Sequence, residues 1–273
     1  MVRMATIEQF AHASSLSKKH AGDFLHFHYR HGHLGMCGGR SYDGHGRVPK
    51  VYYFTRKGWK HFTEEEINLG EFVNVKPKKP WTQTLPHRLQ IVSNYQDLGT
   101  GLALSRRGWI NDVLFDFRTA KYRGKTRKET TDFVSDQMAN DTKIVPDAAM
   151  HISRSLEQSG LFFLETDMGT ELLNPSPATD QTLLAKIRQY ERYYDSGHYQ
   201  DRYRNWGNFS AFFLLIATKR REHAKKIAFL KDEELHISNQ FMLVSTHEEI
   251  RRDPFDKVWW KVGQVSSGPQ PLW

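Results

Sequence analysis

The stretch Leu161-Phe-Phe-Leu-Glu-Thr-Asp167 is an apolar run that ends in two acidic residues. A short apolar run of this kind predicts a buried β-strand over Leu161 to Thr166. Glu165 and Asp167 are two positions apart, so on a strand their side chains share one face. Asp147 lies 18 residues before Glu165 in Val145-Pro-Asp147, a separation that lets one strand turn into the next. The sequence therefore predicts that three carboxylates lie at the ends of two neighbouring strands.

Three such carboxylates predict a site for Mg²⁺ or Mn²⁺, because these ions prefer carboxylate and water ligands. A bound ion could activate water and neutralise charge at a scissile phosphate. Lys186 lies in a helix predicted over Asp180 to Tyr194 and could stabilise the developing phosphate charge; Tyr190 is one turn later on the same face. The candidate catalytic residues are Asp147, Glu165, Asp167 and Lys186, of which the three acids are also the candidate metal ligands.

Simpler interpretations of these residues stay open at this stage. Asp147 could begin a turn after Pro146, and Lys186 could lie on the surface of its helix. Glu165 and Asp167 could form salt bridges with Arg188 or other basic residues. Only the joint occurrence of these residues in this order favours a metal site.

The elements around the acids alternate between helix and strand, which is typical of an α/β domain. The residues between Arg118 and Lys143 are polar and basic, and we expect a long loop there. The periodicity predicts, in chain order, helix His87–Leu98, strands Trp109–Phe117, Ile144–Ile152 and Leu161–Thr166, helix Asp180–Tyr194, strand Phe209–Thr218, helix Arg220–Leu230 and strand Phe241–Ser245.

The first 65 residues have a different pattern. Thr6-Ile-Glu-Gln9 is a capping box that begins a short helix, and Ser17 can cap a second one. In the second helix a buried stripe is predicted from the spacing of Ala21, Phe24, Leu25 and His28. A hairpin is predicted over Gly35 to Phe54, and Thr55 begins another helix. The order of short helix, turn, second helix and β-hairpin is that of a winged helix-turn-helix.

The positive charge is concentrated in this part of the chain. Residues 1–80 contain 13 Lys and Arg against 7 Asp and Glu, so they account for +6 of the total formal charge of +8. Charge alone does not separate DNA from RNA or an acidic membrane, but the helix-turn-helix pattern favours duplex DNA. The candidate DNA-binding residues are Lys18, Lys19 and His20 at the start of the second helix and Arg40, Arg47 and Lys50 in the hairpin.

Several other classes of site are disfavoured. The single cysteine, Cys37, cannot form an internal disulfide. A Walker-type phosphate loop does not occur in the sequence. No apolar run reaches the 18 residues expected of a transmembrane helix. The N-terminal histidines do not have the spacing of a closed structural zinc site, so we expect them to face DNA or to be half-buried. They are His20, His26, His28, His31, His33 and His45. A tyrosine nucleophile at Tyr193 or Tyr194 is a further alternative.

Two resemblances extend this interpretation. A Pro-Asp pair is followed by a Glu-x-(Lys) arrangement, and the elements come in the order helix, three strands, helix, strand. This combination resembles the PD-(D/E)xK nuclease-like fold. Together with the winged helix, the segments Pro146-Asp-Ala, Phe163-Leu-Glu-Thr-Asp-Met-Gly-Thr-Glu171 and Lys186-Ile-Arg-Gln-Tyr190 resemble the replication-relaxation family of plasmid and mobile-element proteins over roughly residues 5–245. The family implies a role in replication or relaxation of plasmid DNA. Asp167 stands where the nuclease pattern has lysine, and Lys186 on the following helix is placed to replace it.

The predicted fold class is therefore α+β, with an N-terminal winged helix-turn-helix over residues 1–65 and an α/β nuclease-like domain of the PD-(D/E)xK type over 87–265. A linker over 66–86 and a flexible tail over 266–273 complete the chain. We expect a cytoplasmic DNA-binding protein of plasmid or mobile-element replication, relaxation or mobilisation, and the sequence leaves open whether its nuclease-like domain is active. The expected partner is duplex DNA, without membrane contact, and a homodimer is compatible with the sequence. The alternatives are a transcriptional regulator without catalysis and an active Mg²⁺-dependent endonuclease.

Overall fold

The computed structural model describes residues 4–38, 49–65, 84–135, 143–169, 183–230, 241–263 and 268–272. The chain divides into two compact units, Met1–Gln96 and Asp97–Trp273. The boundary falls inside one long helix, Thr84–Ser105. Both units mix helices with strands, so the α+β class is confirmed. No helix in these described ranges is long and apolar enough to cross a membrane.

The N-terminal unit contains a small three-stranded sheet and three short helices. The sheet is antiparallel, and its third strand along the chain lies between the first and the second. In chain order its elements are β1 (Met4–Thr6), α1 (Ile7–Ser14), α2 (Lys18–Arg30), β2 (Leu34–Cys37), β3 (Val51–Phe54), α3 (Arg56–Glu64) and the first part of α4 (Thr84–Ser105).

Local capping fixes where these helices begin, as the sequence predicted. Thr6 and Gln9 form a complete capping box at α1. The hydroxyl of Ser17 accepts from the backbone N–H of His20 at 3.2 Å at the start of α2. Thr55 does the same for Gly58 at 3.0 Å in α3. Each cap pairs a backbone donor that the first helical turn would otherwise leave unsatisfied.

The buried side of α2 differs from the prediction at one position. Ala21, Leu25 and His28 are buried, but Phe24 is 40% exposed and stacks on the ring of Phe10. Phe24 lies at the edge of the helical stripe, where burial depends on the neighbouring element rather than on spacing. The prediction that Phe24 is buried is therefore wrong.

The second unit is built on a six-stranded sheet. Beyond the last part of α4, its elements are β4 (Trp109–Phe115), β5 (Thr119–Tyr122), β6 (Lys125–Lys128), β7 (Asp132–Phe133), β8 (Lys143–Ile144), β9 (Ala148–Ser153), β10 (Ser159–Asp167), α5 (Leu183–Ser196), α6 (His198–Arg202), β11 (Phe212–Thr218), α7 (Arg221–Ala228), β12 (Met242–Thr246), α8 (His247–Arg252) and β13 (Trp260–Lys261).

The strands of this sheet lie in the order β13-β12-β11-β10-β9-β4. The centre of the sheet is parallel and its flanks are antiparallel. β10, β11 and β12 run parallel, whereas β4, β9 and β10 pair antiparallel. Apolar residues of α5 and α7, including Ile187 and Ile227, pack in one core with Phe163 of β10 and Leu214 of β11. Central parallel strands need cover on both faces, which explains why β11 is apolar from Phe212 to Ala217.

The polar stretch from Arg118 to Lys143 is not one loop, contrary to the prediction. It contains the hairpin β5–β6 and one strand of the small ladder β7–β8. The hairpin turns at Arg123 and Gly124, which both have positive φ, as two-residue hairpin turns require. Because the hairpin residues are mostly exposed, they lack the apolar alternation from which strands are predicted.

Candidate functional site

Two of the three predicted acids lie side by side at the edge where β9 begins. Ala148 pairs with Leu164 in the antiparallel register, so the preceding Asp147 lies beside Glu165. Oδ2 of Asp147 accepts from the backbone N–H of Thr166 at 2.7 Å. The geometry thus brings Asp147 and Glu165 together, as the sequence predicted.

Glu165 has the most unusual environment of the predicted residues. Its side chain is buried, and Oε2 lies 2.8 Å from Nζ of Lys186 on α5. The hydroxyl of Tyr190, one turn later on α5, donates to the other carboxylate oxygen. Burial raises the pKa of Glu165 to about 7; the positive charge of Lys186 opposes this rise and the negative charge of Asp147 adds to it. Near neutral pH this carboxyl can therefore accept or release a proton.

Asp167 has its own set of partners at the end of β10. Its Oδ2 accepts from the hydroxyl of Thr218 on β11 at 2.8 Å and lies 3.1 Å from Nε2 of His223 on α7. Oδ1 accepts from the backbone N–H of Gly169 at 2.8 Å. Sequence reasoning missed Thr218 and His223, which are more than 50 positions away from Asp167 along the chain.

The acidic cluster, by which we mean Asp147, Glu165, Asp167 and Lys186, is thus held by protein donors. Asp147, Glu165 and Asp167 are all among the described residues, but their ligand oxygens do not all lie within 4.8 Å of one another. A Mg²⁺ or Mn²⁺ ion at these acids stays a prediction.

A further buried acid, Asp132, lies in the same unit, and the sequence did not reveal it. Asp132 accepts from the hydroxyl of Tyr122 at 2.7 Å and also from that of Tyr193. Burial and the neighbouring Asp132 raise the pKa of Tyr122 to about 12. Tyr193 is fully buried, and burial raises its pKa well above the usual value. A buried hydroxyl of this kind is a structural donor, so the geometry does not favour Tyr193 as a nucleophile. Tyr194 stacks on Phe241 in the core.

The predicted DNA-binding residues of α2 are on the surface. Lys18, Lys19 and His20 are exposed in the first turn of the helix, and Lys18 pairs with the exposed Glu8 of α1. Lys50, just before β3, is half-buried. Arg40 and Arg47 lie outside the described residues.

The comparisons with known proteins give one match. No curated protein and no solved structure matches the chain. The sequence model of the replication-relaxation family matches residues 1–208. This range includes the N-terminal unit, strands β4 to β10 and helix α5, and therefore all four residues of the acidic cluster. Since the match extends over most of the chain, the protein belongs to the replication-relaxation family.

Proposed function

We propose that this protein binds duplex DNA through its N-terminal unit and acts in the replication or relaxation of plasmid or mobile-element DNA. The single observation that carries the proposal is the exposed basic first turn of α2, in a unit with the topology of a winged helix. The family supports the biological setting, since its description is replication-relaxation.

The topology supports a winged helix-turn-helix in detail. The unit runs strand, helix, helix and β-hairpin, and the first strand pairs with the last one of the hairpin. In helix-turn-helix proteins the second helix enters the major groove and its N-terminal residues contact DNA. Lys18, Lys19 and His20 occupy that position in α2, and along the sequence Arg40 and Arg47 fall between β2 and β3.

The experiment is a salt series of DNA-binding measurements on the full chain with the double variant Lys18→Glu, Lys19→Glu. Loss of two phosphate contacts should weaken binding to every duplex at least tenfold and reduce the slope of log affinity against log salt by about 2. The matched control is Arg251→Glu, Arg252→Glu, which changes the net charge equally at exposed positions of α8. Equal affinity of wild type and the Lys18, Lys19 variant would refute the proposed surface.

For the second unit we propose a nuclease-like fold. The order α4, β4, β9, β10, α5, β11 has three antiparallel strands followed by a helix and a parallel strand. The sequence resemblance to the PD-(D/E)xK fold rests on the same order of elements. The resting arrangement favours a unit that binds DNA without cleaving it, because each carboxylate of the acidic cluster already has protein donors.

A metal-dependent endonuclease is the second candidate function, favoured by the contact between Lys186 and Glu165 beside Asp147. A Mg²⁺ or Mn²⁺ ion at the acids would activate water, and Lys186 would be released from Glu165 to face the phosphate. This candidate predicts nicking of supercoiled plasmid with either ion and loss of nicking in Asp147→Ala and Lys186→Ala. The control is the exposed Glu157→Ala, which should nick as wild type does. Intact plasmid in all samples would leave only the binding function.

A further inference from the structure

Three histidine side chains from three different elements converge in the N-terminal unit. His28 lies near the end of α2, His33 directly precedes β2, and His61 lies in α3. One ligand nitrogen from each of the three rings lies within 4.8 Å of the other two. We call these residues the histidine cluster. His61 was not among the histidines that the sequence singled out.

The nitrogen atoms are spaced as metal ligands are. Nδ1 of His28 lies 3.1 Å from Nδ1 of His33. Two nitrogen atoms that bind one tetrahedral Zn²⁺ at 2.0–2.1 Å are roughly 3.3 Å apart. The ring of His61 stacks on that of His33, with centroids 4.2 Å apart. The lone pair of an imidazole nitrogen lies in the plane of its ring, so the His61 ring must turn out of this stack to share an ion, while the three ligand nitrogens already lie within 4.8 Å of one another.

The backbone fixes the histidine cluster before any ion binds. The N–H of His33 donates to the carbonyl of His28 at 2.9 Å, and the carbonyl of His33 accepts from the N–H of Thr55 at 3.1 Å. Gly58 lets α3 approach closely, because a Cβ atom there would lie 1.8 Å from the carbonyl oxygen of His33. His61 follows one turn after Gly58 and so reaches His33.

The surroundings of the histidine cluster favour the neutral form of its rings. Burial, helped by the neighbouring histidines, lowers the pKa of His28 and of His33. A neutral imidazole ring carries the lone pair that a metal ion needs. Lys57, whose charge also lowers the pKa of His33, has its Nζ held 2.8 Å from the carbonyl of His31.

We propose that His28, His33 and His61 form a binding site for one divalent transition-metal ion, with Zn²⁺ as the best fit. Imidazole nitrogen is a preferred ligand of Zn²⁺, and three protein ligands leave the fourth tetrahedral position to water. His33 and His61 are half-buried, so water can reach that position. Binding through Nδ1 of His28 and His33 leaves one proton on Nε2 of each ring, so the proton in the present Nδ1···Nδ1 contact moves to Nε2 of its own ring and no net proton is released. The ion would link α2, β2 and α3.

The experiment is a Zn²⁺ titration of the chelator-stripped full chain against a chromophoric chelator. Wild type should bind one Zn²⁺ per chain at this site, and His33→Ala and His61→Ala should each weaken that binding at least tenfold. His12→Ala is the matched control, since His12 is exposed on α1 and lies outside the histidine cluster; its affinity should equal that of wild type. Wild-type affinity in the two cluster variants would overturn the proposal.

A second measurement on the wild-type chain alone covers the case in which a variant does not fold. Co²⁺ in place of Zn²⁺ should give the intense visible absorption of a four-coordinate ion. Addition of Zn²⁺ should remove that absorption and raise the melting temperature, because an ion that binds only the folded chain stabilises it. The weak spectrum of six-coordinate Co²⁺, or an unchanged melting temperature, would overturn the proposal.

Discussion

The acidic cluster and the histidine cluster differ in what their ionisable side chains contact. In the acidic cluster every carboxylate is buried and accepts from a protein donor such as Lys186, Tyr190 or Thr218. In the histidine cluster the ring nitrogen atoms approach one another. Burying a carboxylate is costly unless it is hydrogen-bonded or paired, whereas a neutral imidazole can be partly buried at much lower cost. Closely spaced acids therefore do not suffice to identify a metal site, because the fold can satisfy their charge internally.

The two clusters also differ in what holds them in place. The acidic cluster depends on the register of β9 with β10 and on α5 lying across the strand end. The histidine cluster depends on a single close approach between α3 and the carbonyl of His33. One substitution should therefore disrupt the histidine cluster, whereas the acidic cluster should respond mainly to changes in charge.

The largest expected effect follows from Gly58→Ala. The added Cβ would overlap the carbonyl oxygen of His33 at 1.8 Å, and this oxygen cannot move aside easily because it also accepts from the N–H of Thr55. We expect the free energy of unfolding to fall by about 3 kcal/mol or more, as in overpacked cores. Denaturant unfolding of the full chain measures this, and Zn²⁺ affinity should fall as α3 moves away.

Gly22→Ala is the matched control because it makes the same change inside α2. A Cβ at Gly22 would lie 3.8 Å from the side chain of Ile7, which is ordinary contact. Alanine is the better helix former by about 1 kcal/mol, so this variant should be as stable as wild type or more stable. If both variants changed stability equally, the close approach at Gly58 would not be what holds the histidine cluster.

A smaller effect is expected from the pH dependence of Glu165→Gln. The pKa of Glu165 is raised to about 7 in the folded chain, so between its ordinary value of 4.5 and 7 the folded state binds more protons than the unfolded state. The free energy of unfolding of wild type should therefore fall as the pH rises through that window and level off above it. In Glu165→Gln this contribution is absent, so its stability relative to wild type should rise by about 2.5 kcal/mol from pH 5 to pH 8.

The exposed residue Glu157 provides the control for this measurement. Thermal or denaturant unfolding at several pH values should give parallel curves for wild type and Glu157→Gln. A Glu165→Gln profile that also runs parallel to wild type would mean that Glu165 ionises like an exposed acid, and the comparison between the two clusters would lose its electrostatic basis.

Much of the architecture could be predicted because its causes are local. The helix caps, the apolar strand β11 and the hairpin that ends at Phe54 depend on residues within a few positions of one another. The predicted strand ends brought Asp147 next to Glu165, and the helical spacing placed Lys186 and Tyr190 on one face toward it. The exposed hairpin β5–β6 could not be predicted in this way, because its strands bury too little apolar surface to show a pattern.

The sequence by itself determined the family, the α+β class, the concentration of positive charge near α2 and the order of strands that carry the acids. Only the tertiary structure decided that Thr218 and His223 contact Asp167, that Asp132 lies between two tyrosines, and that His61 joins His28 and His33. The physical reason is the range of the interactions involved. Caps and periodicity depend on neighbours along the chain, whereas the partners of a buried polar group depend on which distant elements pack around it.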